Sequence, residues 1–200
     1  MDERVKAYLD KVKRFSEDGE LYQNLPCMST EVNREIKTTR DMQSRWDAYG
    51  ILGLEDKTIL DIGCNIGGFS FFCAPHCKSY LGIDIDADSI ELAKYLYKQP
   101  NCAFEVQAFK DICGVSFDVI FAFAVWYYTH MKLPIYAAKI ASLLNPGGVL
   151  YYESHGRGQV EKERGAFESL FIITRVITVP TVSNCRRNDY RYFAEMRKRG

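Results

Sequence analysis

A short apolar segment that leads directly into a glycine-rich turn dictates much of how this chain folds. Residues Thr58–Ile62 are predicted to form a buried strand, and Gly63-Cys-Asn-Ile-Gly-Gly68 follows as a turn that opens an apolar helix. Glycine lets the backbone of such a turn approach a ligand closely, and open α/β sheets bind ligands at the C-terminal ends of their strands. Asn65 stands at the second glycine position of the dinucleotide fingerprint G-x-G-x-x-G, so hydride transfer with a nicotinamide cofactor is disfavoured.

Strands and helices alternate along the chain after this turn. Apolar runs predict four further strands, at Tyr80–Ile83, Cys102–Gln107, Phe117–Ala124 and Val149–Glu153. Between them, the capping box Asp88-Ser-Ile-Glu91 is expected to open a helix to about Lys98, and a second helix is expected over Leu133–Leu144. Such alternation indicates a parallel sheet with helices on both faces.

The C-terminal segment departs from this alternation. A helix near Gln159–Leu170 is followed by two β-rich runs, Phe171–Val182 and Tyr190–Met196. Two consecutive strands without a helix between them suit an antiparallel pair at one edge of the sheet.

The first fifty residues are predicted to be helical. A first helix carries an apolar stripe at helical spacing, and a second helix begins near Ser29-Thr30. The stripes comprise Val5, Tyr8, Leu9, Val12 and Phe15 in the first helix, and Val32, Ile36, Thr39, Gln43 and Trp46 in the second. We therefore expect one domain over residues 1–200. It would join a helical lid (1–50) to a Rossmann-like open α/β sheet (57–200), mostly parallel with an antiparallel C-terminal edge pair.

Composition restricts the partners of this chain. Lys+Arg and Asp+Glu both number 26, so the net charge is zero, and a general polyanion binder is disfavoured. A local basic cluster remains, formed by Arg186, Arg187, Arg191, Arg197, Lys198 and Arg199. The apolar runs are too short to span a bilayer, and the charged N-terminus lacks a signal peptide, so no membrane partner is expected. The oligomeric state is left open.

The cysteines indicate the compartment and bear on metal binding. Their number, seven, is odd and their spacing is irregular, so we expect reduced thiols in the cytoplasm. Cys73, His76 and Cys77 invite a zinc interpretation. A fourth ligand has no evident local source, so buried thiols are favoured and no metal is expected.

Four segments, in the expected order, resemble the motifs of the class I S-adenosylmethionine-dependent methyltransferases. Asp61, two residues before Gly63, belongs to the segment that resembles the first motif, and Gly82-Ile-Asp84 resembles the second, 23 residues after Asp61. Phe117–Phe123 is similar to the fourth strand of that family, and Leu144–Leu150 to its turn into the fifth. The resemblance covers roughly residues 57–155 and implies S-adenosylmethionine as the cofactor.

The resemblance also assigns cofactor-binding roles. The loop around Gly63, Cys64, Asn65 and Gly67 would cradle the methionine part, and Asp61 would organise this loop. The remaining contacts would be Asp84 to the ribose, Ile85 on the adenine, Ala108 and Phe109 at the adenine edge, and the backbone near Ala122 at the amino group. Arg40, beside the Trp46 stripe, is predicted to clamp the cofactor carboxylate, the alternative being a solvated helix face.

Three residues are candidates for work on the acceptor. Tyr127 belongs to the run Val125–His130 after the fourth strand, which either lies beside the transferred methyl group or packs as an aromatic cluster under the lid. His155 follows the fifth strand and suits a general base, although a structural histidine is the alternative. Glu153 is expected to fix either an acceptor hydroxyl or that imidazole.

These observations favour methyl transfer to a small molecule, at a hydroxyl or carboxyl group. A first alternative is an RNA methyltransferase that uses the basic C-terminal cluster. Thr38–Asp47 and the glycine turn resemble both small-substrate enzymes and tRNA wobble-uridine modifiers, so this similarity does not select the substrate. A second is a catalytically silent cofactor-binding partner of another subunit. The polar-Pro-Pro-aromatic motif of amine-directed members is absent.

Overall fold

The computed structural model describes residues 2–15, 22–29, 33, 38, 40–154, 160–180 and 190–200. The strands of this part are β1 (Thr58–Ile62), β2 (Ser79–Asp84), β3 (Cys102–Val106), β4 (Phe117–Phe123), β5 (Leu144–Glu153), β6 (Phe171–Pro180) and β7 (Tyr190–Lys198). The α-helices are α1 (Glu3–Phe15), α2 (Met42–Tyr49), α3 (Ser70–Cys73), α4 (Ala87–Leu96), α5 (Leu133–Leu143) and α6 (Val160–Glu168).

All seven strands of the described part join one sheet, in the order β3-β2-β1-β4-β5-β7-β6. The first five pair in parallel, whereas β7 runs antiparallel to both β5 and β6. This is the Rossmann-like open sheet with an antiparallel C-terminal edge that the sequence predicts. The predicted strands are confirmed within about two residues at each end, except that β5 begins at Leu144 rather than at the predicted Val149.

The core divides between the two faces of the sheet because neighbouring residues of a strand point to opposite sides. On β1, Leu60 packs into the cluster under α5 and α6, and Ile59 packs into the cluster that includes Tyr49 of α2. Both residues are fully buried, as expected for a central strand covered on both faces.

The N-terminal helices cover the sheet differently from the prediction. Helix α2 begins at Met42, with Asp41 in an extended conformation and its carboxylate accepting the Ser44 N–H at 2.7 Å. A helix that runs continuously from Ser29 through Trp46 is therefore wrong. Of its predicted stripe, Val32, Ile36 and Thr39 lie outside the described residues.

The cap of α4 is also corrected. Asp86, not Asp88, accepts the N–H groups of Asp88 and Ser89, because Asp86 is extended whereas Asp88 already lies in the first helical turn. Helix α1 packs on this region, with Val5 buried and the Tyr8 hydroxyl 2.9 Å from the Ser89 hydroxyl. No helix in the described segments is both long and apolar enough to cross a membrane.

Candidate functional site

A cavity of about 700 Å³ opens at the C-terminal ends of β1, β2 and β4. Its wall is formed by Tyr22, Ile62, Gly63, Asn65, Ile83–Ile85, Gln107–Lys110, Phe123–Val125 and Tyr128–Met131. The volume falls within the range of roughly 300–1,000 Å³ that is usual for small-molecule sites. The position is the ligand-binding edge of an open α/β sheet.

The glycine turn forms one wall of this cavity. Gly63 has a φ of +69°, and an added Cβ would overlap Cγ2 of Val125 and lie 3.1 Å from its Cβ. The N–H groups of Gly63 and Cys64 both donate to the carbonyl of Ile83, at 2.8 and 3.0 Å, which fixes the turn to the end of β2. An added side chain at Gly63 would therefore displace Val125, which also lines the cavity.

Asp84 presents a carboxylate to the same cavity. Its Oδ2 accepts the N–H of Asn65 at 2.9 Å and its Oδ1 accepts the N–H of Asp86 at 3.0 Å. Each oxygen keeps further lone pairs, so the carboxylate can still accept from two ligand hydroxyls. Ile85 beside it also lines the cavity and is 68% exposed, an apolar surface suited to a flat ring.

The other predicted cofactor residues divide between the wall and the layer behind it. Ala108 and Phe109 line the cavity, and Phe109 is fixed by an edge-to-face contact with Tyr136 at 5.2 Å. Cys64 is buried and does not line the cavity, and Gly67 faces Phe104 in the interior.

Strand β4 meets the cavity from Phe123 onward, one residue after the predicted Ala122. Ala122 is fully buried within the sheet, whereas Phe123, Ala124 and Val125 form the wall. Ala124 has a φ of +56° and donates its N–H to the carbonyl of Glu153 at 2.9 Å. Nothing in the sequence marks an alanine for this left-handed conformation, so its role at the wall could not be read in advance.

Asp61 lies behind the turn rather than in the cavity. It is 2% exposed and accepts the hydroxyl proton of Tyr80 on the neighbouring strand β2. Burial raises the pKa of Asp61 to about 7, against the Tyr80 hydrogen bond and the charge of Arg45, which lower it. Asp61 therefore links β1 to β2 beneath the turn.

Replacing Asp61 should change how stability depends on pH. The folded pKa of about 7 lies above the ordinary 3.8, so the stabilising contribution is complete below about pH 4 and is lost as the pH rises through 7. We expect the free energy of unfolding of the wild type, relative to Asp61→Asn, to fall between pH 4 and 7 in urea titrations. Asp118→Asn is the control, since that carboxyl has a lowered pKa. A pH-independent difference for Asp61→Asn would contradict the assignment.

Glu153 ends β5 inside a cluster of basic side chains, which we call the arginine cluster. It is 1% exposed, and its Oε2 accepts from Arg45 Nη2 at 2.6 Å and from the Tyr49 hydroxyl at 2.7 Å. Its Oε1 lies 3.2 Å from Arg40 Nη1 and 3.4 Å from Arg191 Nη1. Burial alone would raise the pKa of Glu153, but the three guanidiniums and the Tyr49 hydrogen bond lower it to about 2. Such a carboxylate is a weak base and does not line the cavity, so its placement favours a structural role over a catalytic one.

Arg40 does reach inward to a carboxylate, but the partner that the structure shows is Glu153. Its guanidinium lies over the ring of Tyr22 at 5.4 Å, and Tyr22 is part of the cavity wall. Arg40 and Arg45 are both only 6% exposed, so neither lies on a solvated helix face. The sequence gives no sign that Arg45 and Arg191 join Arg40, because they converge from α2 and β7.

The aromatic turn after β4 lies at the mouth of the cavity. Tyr128, Thr129, His130 and Met131 line it, and the turn is anchored by Trp126, whose Nε1–H donates to the Met131 carbonyl at 2.9 Å. Tyr127 itself is 61% exposed and outside the wall. His155 lies outside the described residues, so its predicted role remains a prediction.

The remaining candidates lie away from the cavity. Cys73 and Cys77 are buried, and burial raises the pKa of both thiols, whereas His76 is exposed. The described residues hold no group of three side chains able to ligate a metal. Arg197 pairs in register with Val149, which pairs with Val119 near the start of β4, so the end of the basic tail lies at the opposite edge of the sheet. Arg186 and Arg187 lie outside the described residues.

Comparison with known proteins identifies a matching family and several relatives. Residues 60–150 match a protein family described as "Methyltransferase domain". The tRNA U34 carboxymethyltransferase of Helicobacter pylori is 32% identical over 114 residues, covering 52% of this chain and 43% of that protein. The Campylobacter fetus protein of the same name is 28% identical over 126 residues, covering 56% of this chain and 44% of that protein. The matches thus span less than half of the length of these curated relatives.

Solved structures agree with the fold. The N-methyltransferase NodS from Bradyrhizobium japonicum, in complex with S-adenosyl-L-homocysteine, superposes over the whole of both chains with a TM-score of 0.68. The sequences are 17% identical, so this similarity concerns the fold alone.

Proposed function

Since the chain belongs to the class I S-adenosylmethionine-dependent methyltransferases, we propose that it transfers the methyl group of S-adenosylmethionine to a hydroxyl or carboxyl group of a small molecule. The observation that carries this proposal is the cavity where a glycine turn, the Asp84 carboxylate and the exposed Ile85 converge on one sheet edge. In the described segments six cysteines are free thiols, which supports a cytoplasmic location.

The residues present fit this cofactor. The turn at Gly63 lines the cavity without a side chain, since an added Cβ would overlap Val125, and Asp84 offers two acceptor oxygens of the kind that a ribose diol requires. Ile85 supplies an apolar surface for the adenine, opposite Ala108 and Phe109. One wall of the cavity thus contains the four residues assigned to the nucleoside: Asp84, Ile85, Ala108 and Phe109.

The chemistry demands alignment more than acid–base work. The bound cofactor supplies a methyl group already activated by its sulfonium. The chain must hold the acceptor oxygen in line with that group and exclude water. Tyr22 and the turn of Tyr128–Met131 line the cavity and would shield the acceptor from water. A base is required only where the acceptor must lose its proton early, and His155 remains the candidate, since Tyr127 does not line the cavity.

Replacement of Asp84 tests the cofactor wall. We expect Asp84→Ala to weaken S-adenosylhomocysteine binding by about 1.5–3 kcal/mol, because partly buried, charged hydrogen bonds are lost. Isothermal titration calorimetry measures the change, with Asp88→Ala as the control, since Asp88 is outside the cavity and forms an exposed ion pair with Lys11. A variant that unfolds normally in urea and binds with unchanged affinity would remove Asp84 from the ribose site.

Methyl transfer itself is tested with radiolabelled S-adenosylmethionine and a host extract divided into small-molecule, RNA and protein fractions. Label in the small-molecule filtrate supports the proposal and supplies a product for identification. Label confined to protein would overturn it. Cofactor binding without turnover until another subunit is added would favour the silent-partner alternative.

RNA is the second candidate acceptor, favoured by the name of the Helicobacter pylori relative. The zero net charge and the position of Arg197 at the opposite sheet edge give it less support than the small molecule. Nuclease-sensitive label in the RNA fraction, with binding that weakens steeply as salt rises, would establish it over the first proposal.

A further inference from the structure

The arginine cluster holds more positive charge than its carboxylate balances. Arg45 forms a short ion pair with Glu153 Oε2, at 2.6 Å, and the two charges cancel. Arg40 and Arg191 then share the other oxygen at the longer distances of 3.2 and 3.4 Å. In the described part of the chain, Glu153 is the one carboxylate within ion-pair distance of these three guanidiniums. A partly buried surplus of this kind is costly unless an anion joins it.

The surplus charge lies next to the cavity wall. Tyr22 lines the cavity, its ring lies against the Arg40 guanidinium, and its hydroxyl accepts from Arg191 Nη1 at 3.5 Å. Toward the described residues, the side-chain hydrogen bonds of Arg40 and Arg191 all use Nη1, and each planar fork carries further N–H donors. A guanidinium fork matches a carboxylate or a phosphate.

The strand order separates this charge from Asp84 across the sheet. Asp84 ends β2, and Glu153 ends β5, three strand positions away, which is roughly 14 Å across the sheet. Arg191, on β7, lies beyond β5 on the side away from Asp84. The nucleoside wall and the arginine cluster are therefore well separated along this edge of the sheet, with Tyr22 of the cavity wall in contact with the cluster.

We propose that Arg40 and Arg191 bind a carboxylate or phosphate group of the methyl acceptor, so that the substrate is a small anion whose charged group is distinct from the atom methylated. This inference rests on the proposed methyltransferase function. The side chains are recessed, with Arg40 and Arg191 exposing only 7% and 12% of their side chains, which suits a small anion better than the backbone of a folded RNA. The carboxylate of the cofactor has the same chemistry and is the competing source of the anion.

Inorganic phosphate serves as the probe for the anion site. At constant ionic strength, phosphate should raise the melting temperature of the wild type saturably, and Arg191→Gln should weaken this effect at least tenfold. Arg197→Gln, the same change on an exposed residue of the same strand, should retain it. Equal phosphate effects in the wild type and Arg191→Gln would overturn the proposal.

Two cofactor analogues separate the sources of the anion. Wild type and Arg191→Gln should bind S-adenosylhomocysteine equally within about twofold. If Arg191→Gln loses affinity for S-adenosylhomocysteine but not for methylthioadenosine, which lacks the carboxylate, the site belongs to the cofactor and the proposal fails. A wild type that binds phosphate through Arg191 but does not bind S-adenosylhomocysteine would uphold the anion site and overturn the methyltransferase function instead.

The labelled product provides an independent check. The labelled small-molecule product should be retained on an anion-exchange resin at neutral pH. Arg191→Gln should raise KM for the purified acceptor at least tenfold, with a smaller change in kcat. A neutral or cationic product would overturn the proposal, as would a variant whose kcat falls while its KM is unchanged.

Discussion

Glu153→Gln should lower the free energy of unfolding by about 3–5 kcal/mol, the usual cost of removing one partner from a buried ion pair. Three guanidiniums converge on this carboxylate, and the residue is only 1% exposed. Glutamine keeps the volume and one acceptor oxygen but leaves the positive charges without their shared counter-charge. Urea denaturation followed by circular dichroism measures the change.

Glu195→Gln is the matched control for Glu153→Gln. Glu195 pairs with Arg175 at 3.5 Å, with the two side chains 23% and 33% exposed, so its loss should cost at most about 1 kcal/mol. Equal destabilisation by the two variants would show that the arginine cluster tolerates an uncompensated surplus.

Lowering the pH should also reduce the free energy of unfolding of the wild type, because Glu153 then becomes protonated. The folded pKa of Glu153, about 2, lies below its ordinary value of 4.5, so the stabilisation is present above pH 4.5 and is lost as the pH falls toward 2. The destabilisation of Glu153→Gln relative to wild type should therefore shrink over this window. If the difference in free energy of unfolding between Glu153→Gln and the wild type stayed constant from pH 6 to 2.5, the charge of Glu153 would not be the source of its stabilising effect.

The fold was predictable because its signals are local. Apolar runs such as Phe117–Phe123 and the turn at Gly63 depend on neighbours in sequence, and the parallel pairing of the first five strands follows from strand–helix alternation. The errors concern the residues at which two helices begin. Asp41 and Asp86 cap their helices because their own backbones are extended, which sequence does not reveal beside Thr30 and Asp88.

The candidate site was predictable on one side only. The nucleoside wall is built from strand ends that carry recognisable residues, Gly63 and Asp84 above all. The arginine cluster joins residues 40, 45, 153 and 191, which are separated by up to 151 positions. Each of these residues taken singly has the pattern of a solvated or catalytic side chain. These residues come together only when residues 40–49, β5 and β7 pack against one another in the fold.

Gly63→Ala should both destabilise the protein and weaken cofactor binding. The φ of +69° is strained for alanine by about 1–2 kcal/mol, and the overlap with Val125 adds about 1–3 kcal/mol of overpacking. Because Val125 lines the cavity, the overlap is relieved most readily by moving it into the space of the ligand. We expect S-adenosylhomocysteine affinity to fall at least about tenfold, measured by calorimetry.

Gly53→Ala is the control that separates the effect of backbone strain in Gly63→Ala from the effect of the overlap with Val125. Gly53 has a φ of +71°, but an added Cβ there meets nothing within 4 Å, so this variant should lose only about 1–2 kcal/mol of stability and no affinity. Adding Val125→Ala to Gly63→Ala removes Cγ2, the atom that the new Cβ would overlap, and should restore much of the binding. If Gly63→Ala and Gly53→Ala bind alike, or if Val125→Ala restores nothing, the turn at Gly63 is not where the backbone meets the cofactor.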